Sequence, residues 1–345
     1  MGKISKSIAL EIFLGRKARR FSPSAIGRIE NEQVKLMHRK SCFFVLAAIV
    51  GISIGVSLPD NASAGEQVTP EQVVATHVES LGSPQALAAL KTMAFVGTTS
   101  VEFIQGMYGS MNGTSMCVSD GNKLAIVLKY GDINYPGEYF AYDGKEVSVG
   151  YINPGQRSPL ADFIFRHNGI MKEGLLGGVF SEGWPLLNLQ QKEAGMKYGE
   201  TTIDGWRLHE IEYRPKQGLR DMKIKLYFDP DTHRHVRTEY RVRVRDDMSA
   251  APGGGGTRTG KFQEASPSTG DFDTTLFQGL PDSIYVLVEK FDDFKKIGAI
   301  TLPHSYTIEY SVEGQGHSFI AKWNMKALQW AFNRAYDEKI FQAQK

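Results

Sequence analysis

The sequence predicts an α+β protein dominated by antiparallel β-sheet. Three observations predict it. Helical spacing is confined to short stretches, chiefly residues 69–90. From Met93 onward most of the chain alternates apolar and polar residues with a period of 2. Between the alternating runs stand tight turn signals, so that hairpin follows hairpin.

Taken in order, the chain opens with a leader. Met37-His38-Arg39-Lys40 is a basic start, Cys42–Leu58 an apolar run, and Ala62-Ser63-Ala64 a small-residue cleavage box. This reads as an export signal cleaved before Gly65, with translation starting at Met37. Gly51, Gly55 and Pro59 favour cleavage over a membrane anchor. The expected compartment is the periplasm, including association with the outer membrane. The domains read are 1–64, extension and signal, and 65–345, a single domain.

Residues 1–64 hold ten of the 40 Lys/Arg and four of the 38 Asp/Glu, so 65–345 carry 30 positive and 34 negative side chains, a net charge of −4. That balance excludes a nucleic-acid footprint. Of the two cysteines only Cys117 remains, so stability must come from packing rather than an internal disulfide.

Thr69-Pro70-Glu71-Gln72 is a capping box, followed at helical spacing by Val73, Val74, His77, Val78 and Leu81. Ser83-Pro84 starts a second helix with Leu87 and Leu90 on one stripe. The strands come next. Phe95, Gly97, Thr99, Val101 and Phe103 share one face, as do Met222, Ile224, Leu226 and Phe228. Ile300 to Tyr310 and Phe319 to Met325 repeat the pattern, one side apolar and the other wet, as antiparallel sheets require. Asp120-Gly121, Asp143-Gly144 and Asp204-Gly205 are expected hairpin turns, and Asp229-Pro230-Asp231-Thr232 a longer one.

Two segments break the pattern. Residues 158–189 are aromatic-rich: Ser158-Pro159 caps a helix, and Gly174, Gly177, Gly178 and Gly183 interrupt the apolar stretch that follows. Residues 248–272, with four successive glycines at 253–256, read as a flexible loop. The chain is expected to close with a helix over 326–341.

Motifs for chemistry are sparse. Residues 65–345 contain no Gly-x-Ser-x-Gly elbow, no His-Glu-x-x-His, and no Gly-Lys-Ser/Thr after the glycine run. His233 and His235, with Asp229 and Asp231 nearby, are the nearest approach to a divalent-metal site, but a hairpin turn makes them solvated polar residues. Enzymatic activity and cofactors are not expected. Arg237, Arg241, Arg243 and Arg245 fall on one strand face with Glu239 among them; this is a wet face or a patch for anionic headgroups or a partner.

Two helices, a long meander, an apolar insertion and an export signal together resemble the LolA/LolB-like superfamily of periplasmic lipoprotein carriers. Phe228-Asp229-Pro230-Asp231-Thr232 followed by Val236–Tyr240, and Phe294–Gly298 followed by Ile300–Pro303, are similar to phrases of that family. The resemblance covers roughly residues 70–345 and implies a single highly curved, unclosed half-barrel with helices over its concave face. It also implies holding acyl chains rather than catalysis.

On that reading the cavity is lined on the sheet by Phe95, Val101, Phe103, Leu226, Phe228, Tyr240, Tyr306 and Tyr310. Phe163, Leu176, Phe180 and Trp184 form a lid, and Trp184→Ala should weaken lipid binding with little loss of stability. The expected partner is a lipid or lipidated protein, with an envelope protein as a further partner, and the carrier is a monomer. The alternatives are an envelope interaction module with a filled core and no cargo, and a periplasmic hydrolase.

Overall fold

The two N-terminal helices form as their caps predict. In α1, Pro70–Leu81, Thr69 Oγ1 accepts from Gln72 N at 3.2 Å and Gln72 Oε1 accepts from Thr69 N at 2.8 Å. α1 buries Val73, Val74, His77 and Leu81. Ser83 caps α2, Pro84–Ala88. The computed structural model describes residues 68–191, 194–216, 218–219, 221–244, 283–314 and 317–343. The export signal, the 248–272 loop and Arg245 lie outside them. The described elements belong to one compact unit, Val68–Lys345.

Among the described residues, twelve strands build one sheet. Five run in sequence to one edge: β1 Thr92–Gln105, β2 Gly109–Asp120, β3 Lys123–Tyr130, β4 Gly137–Tyr142 and β5 Val147–Val149. Four start from the other edge: β6 Gly195–Ile203, β7 Trp206–Arg214, β8 Met222–Phe228 and β9 His235–Val244. Then β10 Ser283–Ile297, β11 Ile300–Gly314 and β12 His317–Phe332 return to the middle, where β12 pairs with β1. The order is β5-β4-β3-β2-β1-β12-β11-β10-β9-β8-β7-β6, and every pairing is antiparallel.

This is the expected unclosed antiparallel sheet with few helices. β5 and β6 are consecutive in sequence but stand at opposite edges. The described residues 150–191 therefore traverse the sheet from edge to edge. They do so over its apolar, concave face, because that face needs cover. The traverse contains α3, Pro159–Arg166, α4, Gly169–Lys172, and 3₁₀ turns at Gly178–Phe180 and Pro185–Gln191.

The turns follow sequence chemistry with one shift of register. Asp204 and Gly205, at φ 52° and 83°, are the two-residue loop between paired Ile203 and Trp206, as a type I′ turn requires. At the β2–β3 turn, Asp120 pairs with Lys123, so the loop is Gly121-Asn122 and Asp120 is a strand residue. The β4–β5 loop spans four residues, with Asp143 Oδ1 accepting from the amides of Lys145 and Glu146 at 2.9 and 2.8 Å.

The expected C-terminal helix over 326–341 is corrected. β12 continues to Phe332, and only Glu338–Phe341 turns, as a 3₁₀ helix. The cause is a bulge: Gly97 pairs with Ala327 and Val96 with Gln329, leaving Leu328 as the extra residue, 66% exposed. The bulge advances the alternation by one residue, so the apolar positions Ala327, Leu328, Trp330 and Ala331 acquire helix-like spacing inside a strand. Gly97 is required there, since a Cβ on it would lie 1.8 Å from Lys326 O.

Candidate functional site

The site is the layer between the traverse and the sheet. All twelve residues expected to line a cavity or lid are buried, none above 4% exposure, and belong to one apolar cluster. The contacts are specific. Phe180 meets Phe95 at 5.2 Å and Tyr306 at 5.4 Å between ring centroids. Phe163 meets Tyr310 at 5.2 Å. Trp184 does not meet a sheet aromatic named above but His77 and His235, at 5.3 and 5.0 Å; His77 in turn lies 5.3 Å from Phe228. Leu176, Val101, Phe103, Leu226 and Tyr240 complete the same cluster.

In this conformation the layer is filled. An enclosed space of about 20 Å³ lies beside it, between α1, α2 and the traverse, lined by Leu81, Leu87, Leu90, Met93, Val179 and Ile300 among others. Pockets for small molecules run to ~300–1,000 Å³, so the layer holds a guest only if the traverse moves.

Within the apolar layer are polar islands that sequence patterning did not single out. Glu289 on β10 is fully buried and receives hydrogen bonds from the Tyr240 hydroxyl at 2.7 Å, the Tyr306 hydroxyl, and the Gly177 amide at 2.7 Å. Glu138 on β4 accepts from the Tyr135 hydroxyl and hydrogen-bonds Ser158, the N-cap of α3. Burial, which penalises the charged form, pushes both carboxyls up to about 7, against the hydrogen bonds that favour ionisation.

Two more glutamates of the traverse reach the sheet. Glu173 accepts from the Tyr213 hydroxyl at 2.8 Å, and Glu182 from the Gly121 amide at 2.9 Å. The signal for Glu289 and Glu138 was present in the sequence. Glu289 is in phase with Leu287 and Phe291, and Glu138 with Phe140 and Tyr142, on the buried side of their strands.

The histidines separate. His233, at φ 57°, is an exposed turn residue. His235 is 1% exposed, which corrects its reading as solvated: a register shift between Tyr227 and Phe228 turns it inward. His77 Nδ1 lies 3.1 Å from the His235 amide, and His235 Nε2 lies 2.9 Å from Thr238 Oγ1. Desolvation lowers His77 to about 4 and His235 well below its ordinary value, so both are neutral at pH 7. Among the described residues, no group of three or more His, Cys, Asp or Glu side chains is placed to hold a metal.

The arginines lie on the opposite, convex face. Arg237 and Arg241 share Glu239, each at 3.4 Å, and Arg243 is exposed. Adjacent strands continue the mixed pattern, with Lys225–Glu210 at 2.7 Å and Lys290–Glu309 at 2.9 Å.

No protein-family model matches the sequence, and no curated protein matches it. Solved structures similar to it include a LolA superfamily protein from Nitrosomonas europaea, at 9% identity, covering 80% of this chain and 98% of its own, with a TM-score of 0.37. The complex of MucA and MucB from Pseudomonas aeruginosa is similar at 12% identity over 76% of this chain and 99% of the other, with a TM-score of 0.21. A second structure, of MucB in complex with MucA(peri), matches at 12% identity over 76% of this chain and all of that one, TM-score 0.18. Scores of this size do not describe a close superposition, and the architecture rests on its own strand order and register.

Proposed function

We propose that this chain is a periplasmic, non-enzymatic binding protein whose concave face accepts acyl chains, of a lipid or a lipidated protein, when the traverse lifts. The observation that carries this reading is the edge-to-edge traverse. It lies across a largely apolar face and is fastened to the sheet by side-chain packing and a few hydrogen bonds rather than by strand pairing. Each buried methylene of a guest contributes ~0.8 kcal/mol, so a 16-carbon chain gains on the order of 10 kcal/mol towards displacing it. The partly exposed arginines of β9 would lie outside the cavity, available to an envelope partner or headgroups.

Expression with export, purification without detergent, and native mass spectrometry with lipid extraction test the reading. A co-purifying acyl species near one per chain supports it. A ligand-free mass, together with indifference to added fluorescent fatty acid, removes the carrier. The filled layer supports a second reading, an envelope interaction module without cargo, and that outcome would favour it.

A further inference from the structure

The traverse meets Glu289 through its backbone. Gly177 and Gly178 have positive φ, 81° and 50°, and let the chain come down directly on the floor. A Cβ on Gly178 would lie 2.8 Å from Phe291 Cζ, so a side chain there would force the Phe291 ring to shift. Beneath it the Gly177 amide donates to Glu289 Oε1. The other groups facing Glu289 are the Tyr240 hydroxyl from β9, the Tyr306 hydroxyl from β11 and the Cys117 thiol from β2. None of these carries a positive charge to balance a carboxylate.

We propose that the traverse is a lid whose docking is controlled by pH through Glu289, the buried carboxyl that holds the Gly177 amide. With the lid down, Glu289 is sealed from water. Once it lifts, Glu289 is hydrated. A hydrated carboxyl ionises near its ordinary value of 4.5, whereas the sealed one holds its proton up to about 7. Proton loss therefore favours the lifted lid as pH rises between these values.

Glu138 at Ser158 and Glu182 at Gly121 act in the same direction, each pushed up to about 7 by desolvation. His77 and His235, under Trp184, act in the opposite direction, since acid favours their exposure. The lid is thus most firmly seated in mild acid and loosens toward neutral and alkaline pH.

This inference shares the movable segment with the proposed function but not its cargo, so failure of lipid binding and failure of the latch are separate results. Hydrogen exchange read by mass spectrometry on the full chain, corrected for intrinsic rates, tests it without lipid. Between pH 5 and pH 7.5, the opening constant for peptides within 170–187 should rise at least tenfold more in wild type than in Glu289→Gln. The comparison cancels the other titrating groups. Peptides of β1–β2 and β11–β12 should keep their protection.

Equal pH dependence in the two proteins, or parallel loss across the sheet, would overturn the proposal. Should Glu289→Gln not fold, Tyr306→Phe serves. It removes a donor that favours the carboxylate, so release should extend to higher pH than in wild type, and an unmoved profile would equally overturn it.

Discussion

Trp323 on β12 donates its indole N–H to the Tyr135 hydroxyl at 2.7 Å, joining residues 188 positions apart. Tyr135 passes the chain on to Glu138, and Glu138 to Ser158 at the start of the traverse. One buried relay therefore connects the centre of the sheet, the β3–β4 loop, strand β4 beside the edge, and the cap of α3. In a low-dielectric core each member depends on the others being present.

Tyr135→Phe should therefore cost more than one hydroxyl. It removes a partner from the Trp323 indole and from Glu138 together, in a region fully sealed from water. Leaving a buried polar group unsatisfied costs ~1–3 kcal/mol. Urea unfolding is expected to show a loss at the upper end of that range, and a change under about 0.5 kcal/mol, the scale of ordinary surface substitutions, would contradict the relay.

The buried Trp184 alters what its removal should do. Because Trp184 is fully enclosed rather than lying over an open cavity, Trp184→Ala should cost about 3–5 kcal/mol of stability. Little loss of stability would follow only if Trp184 covered an open cavity. Thermal or chemical denaturation decides between the two.

His77 supplies a pH test with a definite sign. Its imidazole falls from an ordinary value of 6.5 to about 4 in the folded protein, mainly by desolvation. Its contribution to stability is thus complete above pH 6.5 and lost as pH falls toward 4. Relative to wild type, His77→Phe should gain about 2 kcal/mol on going from pH 7 to pH 5. Parallel urea midpoints for the two proteins across that range would show that His77 is not sealed.

The bulge on β12 predicts a contrast between near neighbours. Leu328 is the extra residue and points outward, so Leu328→Lys should change stability by less than about 0.5 kcal/mol. Trp323, five positions earlier on the inner face, should cost about 3–5 kcal/mol when truncated to Ala. A helix over 326–341 gives no reason for Leu328 to be so tolerant.

Gly178→Ala combines a positive φ with a collision against Phe291. Backbone strain of this kind costs of order 1–3 kcal/mol. The expected result is faster hydrogen exchange confined to the traverse, and a uniform loss across all strands would place the strain elsewhere.

The sequence by itself determined the local pieces: the Thr69 capping box, the Ser83 and Ser158 caps, the type I′ turn at Asp204-Gly205, and the inner face of most strands. Each depends on residues within a few positions of one another, through hydrogen bonds, turn geometry or the period-2 alternation of the pleat. The aromatic segment 158–189 was also legible as cover for the sheet, because its composition is apolar and the sheet's inner face must be buried.

Tertiary structure alone decided the rest. The pairing of β1 with β12 sets the bulge at Gly97 and Leu328, which converted an apparent helix into a strand. The placement of β5 and β6 at opposite edges sends residues 150–191 across the concave face. That crossing then carries Ser158 and Gly177 over strands more than a hundred residues away in one case and encloses Glu138, Glu289 and His235. Burial of a charge-bearing side chain is a property of what covers it, and its cover here comes from distant parts of the chain.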